Sequence, residues 1–140
     1  MAWQSYDLDR VAQKLVLLAR ERDSQSLNQS HKMRMAVSYG LERFWGEHLR
    51  LQGKEEAKSK YWKSTWDAFC DVMAETGLQL PKDQIKADET KKIQDISSRL
   101  WALSLEEQRV AMAVLTQLCD CLVWWTQRYK TGRFADDADS

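Results

Sequence analysis

Cysteines, histidines and a run of aspartates are the residues in this 140-residue chain whose spacing invites a chemical reading. Cys119-x-Cys121 has the form of half a metal site, and Asp136-Asp137-Ala138-Asp139 resembles an acidic metal motif. Within a helix, residues two apart point about 200° from each other. Cys119 and Cys121 therefore diverge, and they read as two buried, inert thiols. The acidic run reads as a solvated tail. Of the two histidines, His31 falls at a loop–helix junction and His48 on an apolar helix face. A packed, hydrogen-bonded imidazole is the expectation for His48. The chain has no Glu-x-x-His pair for a di-iron bundle and no His-Glu-x-x-His for a zincin. It also has no glycine-rich phosphate loop and no nucleophile elbow. The expectation is a protein that is not an enzyme, with no catalytic residues, no metal and no cofactor.

Binding surfaces are easier to find than catalytic ones. If residues 30–53 form one helix, a turn of about 100° per residue centres its apolar face near Val37 and Phe44. Lys32, Tyr39, Arg43, Gly46 and Arg50 then share a stripe roughly 140° away. Cations pair with phosphates, and aromatic faces stack on bases or sugars. Glycine lets a backbone come close. Lys54, Lys58, Lys60 and Lys63 carry the charge onward. The bland alternative is an ordinary solvated face. The expected nucleic-acid-binding set is Lys32, Tyr39, Arg43, Arg50 and Lys54.

Trp124 and Trp125 cannot both enter one core. Trp125 shares a face with Leu118, Leu122 and Tyr129, whereas Trp124 lies beside Gln117 and Arg128. An outward Trp calls for a cover, either another helix or a second subunit, where Trp and Arg are typical anchors. Leu17, on the back of the first helix, poses the same question. Trp124, Arg128 and Leu17 form the expected subunit interface.

Apolar residues at i, i+3, i+4 and i+7 define the helices that carry these groups. Asp7 is placed to cap a helix over residues 8–22, with Leu8, Val11, Ala12, Leu15, Leu18 and Ala19 inward. Asp23 to Ser30 is a polar loop. Ser30 opens a second helix, with Met33, Val37, Leu41, Phe44, His48 and Leu51 inward, which ends at Gly53. A third helix, over residues 55–76, aligns Trp62, Thr65, Trp66, Phe69 and Met73 and stops at Gly77. Pro81 suits the first turn of a fourth helix whose face is Ile85, Glu89, Ile93, Ile96 and Leu100. Ser104-Leu105-Glu106-Glu107 has the capping-box spacing. It opens a fifth helix that runs to about Lys130, with Ala111, Val114, Leu115, Leu118, Cys121, Leu122, Trp125 and Tyr129 inward. No stretch alternates with period two. The expected fold is all-α: a single compact bundle of about five helices over residues 1–134, with a disordered acidic tail at 135–140.

Composition agrees with such a bundle. The chain is 44% hydrophobic and 30% charged, which excludes a collagen-like, low-complexity or wholly disordered protein. One Pro and five Gly are too few for the turns of a small β-sandwich. No apolar run approaches the roughly 18 residues of a membrane span, and Met-Ala-Trp-Gln-Ser-Tyr-Asp is no secretory signal. Three cysteines suit a reducing cytoplasm better than a disulfide framework. The net charge is zero, from 21 basic and 21 acidic residues, but it is unevenly spread. Lys32 to Lys63 holds eight Lys/Arg against four Glu.

Two segments resemble the small α-helical subunit of type III CRISPR effector complexes, the Cmr-type small subunit. Met35-Ala36-Val37-Ser38-Tyr39-Gly40-Leu41 is similar to the Ser-x-Gly-Leu step of that family. Thr116, Leu122, Val123, Trp125, Arg128 and Tyr129 match the order and spacing of its closing helix. The match covers about a quarter of the chain and consists mostly of core pattern. Family members are often basic, whereas this chain is neutral overall. The resemblance implies a non-catalytic subunit that stacks in several copies beside other CRISPR effector subunits and lines the groove for guide RNA and target RNA. Its contacts there would be to the RNA backbone, because base pairing supplies sequence recognition. The competing expectation is a helical adaptor, or oligomerisation protein, that binds only protein partners.

Overall fold

The computed structural model describes the backbone of residues 7–139 and the side chains of residues 7–129. Those residues form six α-helices and no strand: α1 (Leu8–Arg22), α2 (Gln29–Ala36), α3 (Leu41–Leu51), α4 (Glu56–Glu75), α5 (Thr90–Trp101) and α6 (Leu105–Asp139). Single 3-10 segments fill Ser24–Asn28 and Val37–Tyr39. The all-helical expectation holds, with one more helix than the periodicity predicts. No helix among the described residues is long and apolar enough to cross a membrane.

The extra helix comes from Gly40. Instead of one helix from Ser30 to Gly53, α2 tightens into a 3-10 turn and the chain breaks at Gly40, where φ is 101° and ψ 168°. That region of backbone space is open essentially to glycine alone. The Gly40 N–H donates to the Val37 carbonyl at 3.0 Å, and its own carbonyl accepts from Phe44 N–H at 3.1 Å, which starts α3. Met33, Val37, Leu41, Phe44, His48 and Leu51 are nonetheless all buried. The break turns the axis without losing the inward face.

The second correction concerns Pro81. It does not open a helix. Residues 78–89 run as an extended strap over α4, and α5 begins only at Thr90. Leu80, Pro81 and Ile85 are buried there. Side chains of α4 and of the α3–α4 turn bond the strap's backbone. Trp66 Nε1 donates to Pro81 O at 2.8 Å, Lys63 Nζ to Lys82 O at 3.1 Å, and the Ala87 N–H to Gln52 Oε1 at 2.7 Å. These partners stand in for the neighbours a helix would provide, so the segment has no need to coil.

Helix termini otherwise follow local chemistry. Ser104 and Glu107 form the reciprocal capping box, with N–H···O distances of 2.9 and 3.1 Å. α4 ends in a Schellman turn at Gly77 (φ 92°), where Gly77 N–H donates to Ala74 O and Leu78 N–H to Met73 O. Asp7 precedes α1 but makes no side-chain cap bond; its carboxylate faces Arg10 at 3.4 Å instead. α6 continues past Lys130 to Asp139. The side chains of the expected acidic tail lie outside the described residues.

One core joins the helices. α1 lies along α6 and α4, α2 against α6, and α3 against α4. On α1 the buried face is Leu8, Ala12, Leu15, Val16 and Ala19; Leu18, expected inward, is exposed. The face rotates toward Val16 because α1 packs on two helices at once. An aromatic cluster fills the α3–α4 contact, with Phe44 and Trp62 centroids 5.0 Å apart and those of Trp66 and Phe69 5.5 Å apart. Where α2, α4 and α6 meet, Ser30 Oγ lies 2.5 Å from Tyr61 Oη and 2.6 Å from Thr126 Oγ1, and all three residues are fully buried.

Candidate functional site

The cysteines and histidines are placed as follows. Cys119 is fully buried and Cys121 half-buried on diverging faces of α6. Burial pushes the thiols of Cys119 and Cys70 up to about 12 and that of Cys121 to about 11. All three are thiols, not thiolates, near neutral pH. Among the described residues, no group of three or more His, Cys, Asp or Glu is placed to hold a metal ion. His31 is exposed. His48 is buried, its Nδ1 is 2.5 Å from the Trp45 carbonyl, and its Nε2 has no partner. The expected packed imidazole is therefore bonded on one side only.

The outward stripe survives in altered form. Lys32, Tyr39, Arg43, Arg50 and Lys54 are all exposed. A single unbroken helix would hold Lys32 and Arg50 about 27 Å apart. The chain breaks at Gly40 instead, and the charges of Lys32 and Arg50 both reach the Glu55 carboxylate. The Lys58 hydrogen bond and charge, followed by the charges of Lys32 and Arg50, hold the Glu55 carboxyl below its ordinary value. Lys54 lies next to Glu55 in the Gly53 turn. The stripe is thus a cluster at one end of α3 with Arg43 and Tyr39 at the other.

Local pairing thins its charge. Arg50 makes a two-pronged pair with Glu47 at 2.7 and 2.9 Å. Lys58 pairs with Glu55 at 2.8 Å. Lys63 is buried, pairs with Asp67 at 2.5 Å and has no outward role. Lys32, Arg43, Lys54 and Lys60 make no ion pair among the described residues. The Arg43 guanidinium stands over the Tyr39 ring, 5.8 Å from its centroid.

At the Gly40 end the chain forms a cleft of about 390 Å³ between the start of α3, the end of α5 and the start of α6. Tyr39 and Trp101, each 67% exposed, line it together with Arg43, Gly40, Gln108 and Met112. Trp101 and the cleft escape sequence reasoning, because Trp101 falls on a thinly apolar helix whose packing the spacing does not reveal.

Of the expected interface residues, Trp124 is 58% exposed on α6. Arg128 is exposed, and its guanidinium stands 5.3 Å from the Trp125 ring centroid, whereas Leu17 is half-buried on α1. Trp125 stacks on Tyr129 with centroids 5.9 Å apart. The structure places Trp124 and Arg128 on neighbouring outward positions and leaves Leu17 partly within the bundle.

No protein-family model matches the chain, and neither a curated protein nor a solved structure matches it.

Proposed function

We propose that this protein is a non-catalytic, RNA-contacting small subunit of a type III CRISPR effector complex in the cytoplasm, stacked in several copies. In that role it sits beside other effector subunits and helps hold guide RNA and target RNA through backbone contacts. The observation that carries the proposal is that Arg43, Arg50, Lys32 and Lys54 are all exposed, with Tyr39 beneath the Arg43 guanidinium. Such a set suits phosphates spaced along a strand. The spacing of Ser38, Gly40 and Leu41, which resembles the family's step, coincides with the break between α2 and α3.

A pull-down of the tagged protein from its native host tests the reading, with mass spectrometry and RNA extraction on the eluate. The expected eluate holds large effector subunits and short, uniform RNAs. Arg43→Ala with Arg50→Ala is expected to weaken RNA retention and flatten its salt dependence, since each lost phosphate contact lowers the slope by about one. A single protein partner without RNA overturns the proposal.

That outcome would favour the second reading, a helical adaptor that binds only protein. Trp124 supports it: more than half exposed on a long helix, it is the kind of anchor that protein interfaces bury.

A further inference from the structure

Tyr39 and Trp101 come from distant parts of the chain, yet they are the two most exposed rings among the described residues and open onto the same cleft. Large exposed aromatics are costly to leave in water unless something covers them. The cleft volume of about 390 Å³ falls in the size range of small-molecule sites. Arg43 stands over Tyr39, which steadies the ring and sets a positive charge beside it. Gly40 leaves open backbone at the mouth, since a Cβ there would meet nothing within 4 Å. The Gln108 amide donates to Leu103 O at 2.9 Å, and its Oε1 remains as an acceptor on the cleft wall. The site thus offers two exposed aromatic rings, the Arg43 cation, an amide and the Glu42 carboxylate, whose Oε2 is already held by Ser97 Oγ at 2.9 Å; together they suit a nucleobase with a single phosphate attached.

We infer that this cleft takes one unpaired base of a single RNA strand, stacked against Tyr39 and Trp101, with its phosphate at Arg43. The inference rests on the RNA-contacting reading above and goes beyond backbone contact. A strand fits better than a free nucleotide. The cleft holds Glu42 as well as Arg43, too little positive charge for a polyphosphate. Two further exposed cations that make no ion pair among the described residues, Lys32 and Lys54, lie away from the cleft, with the Glu47-paired Arg50 toward the far end of α3. A cationic track with aromatic platforms is how proteins hold single strands without reading sequence.

The test uses the full chain and a short single-stranded RNA carrying 2-aminopurine, whose fluorescence falls on stacking. The expected result is quenching on binding, with Tyr39→Ala and Trp101→Ala each weakening affinity about tenfold, in line with the stacking contribution of one base. Tyr39→Phe and Trp101→Phe should restore most of the affinity. Both positions are exposed, and circular dichroism of each variant checks the fold. An RNA duplex of the same length should bind without responding to either alanine. If the strand binds equally well to both alanine variants while Arg43→Ala with Arg50→Ala weakens it, the base cleft is overturned and backbone contact stands. If AMP displaces the strand and the free 2-aminopurine ribonucleotide monophosphate is quenched as strongly on its own, the ligand is a free nucleotide and the strand assignment falls. If no RNA binds at low salt, both the cleft and the RNA-contacting reading fall.

Discussion

His48 holds its proton on Nδ1, because the Trp45 carbonyl 2.5 Å away can only accept. Its Nε2 faces the core with no partner, and the Trp45 indole meets the ring edge-on at 5.7 Å. Burial lowers its pKa from the ordinary 6.5; the Trp45 hydrogen bond opposes that shift and nearby Lys63 adds to it. The folded state therefore binds a proton less readily than the unfolded chain. The stability His48 supports is present above pH 6.5 and is lost as pH falls through the lower folded value. Thermal melts from pH 8 to pH 5 should show this loss. His48→Gln, whose amide can still donate to Trp45 O, should show a smaller loss across the same window. Equal slopes for both proteins would place the acid sensitivity elsewhere.

At the scale of elements, Gly40 decides the layout of the site. Its φ of 101° strains any other residue, although a Cβ would meet no atom within 4 Å. Gly40→Ala should cost about 1–3 kcal/mol, through backbone strain and not through a clash. Urea denaturation measures it, and an unchanged midpoint would mean that the break does not depend on glycine. The same residue marks the limit of what the chain discloses before folding. The inward faces of α3 and α4 were legible because period 3.6 reports burial directly: on α4, Trp62, Thr65, Trp66, Phe69 and Met73 are all buried, whereas on α6 Cys121, Trp125 and Tyr129 of the expected face are only half-buried. The capping box was legible because it is a local contact. The turn at Gly40 was not, because one glycine is tolerated within a helical pattern and periodicity does not report the direction of the axis. Of the site, Tyr39 and Arg43 could be found on a helical wheel. Trp101 could not, since it reaches the cleft only through the packing of α5 near α3.

For the whole molecule, the seven tryptophans divide by task. Trp45, Trp62 and Trp66 are almost wholly buried, Trp125 is half-buried beneath Arg128 and against Tyr129, and Trp101 and Trp124 face outward; Trp3 lies outside the described residues. Stability should follow that division. Trp66→Ala removes a ring packed on Phe44 and Phe69 and should cost about 3–5 kcal/mol. Trp124→Ser should change the stability of the isolated chain by less than about 0.5 kcal/mol. Chemical denaturation of both variants checks the pair, and a large loss from Trp124→Ser would mean that its ring is covered within the chain itself.

Trp66 also has a second duty, through its bond to the strap over residues 78–89. Neither a helix nor a sheet holds that segment. Individual side chains moor it: Trp66 and Cys70 at Pro81, Lys63 at Lys82, and Gln52 at both Ile85 and Ala87. The strap is therefore riveted as well as moored: lifting it off α4 uncovers Leu80, Pro81 and Ile85, so it parts from the bundle only when that patch of core opens.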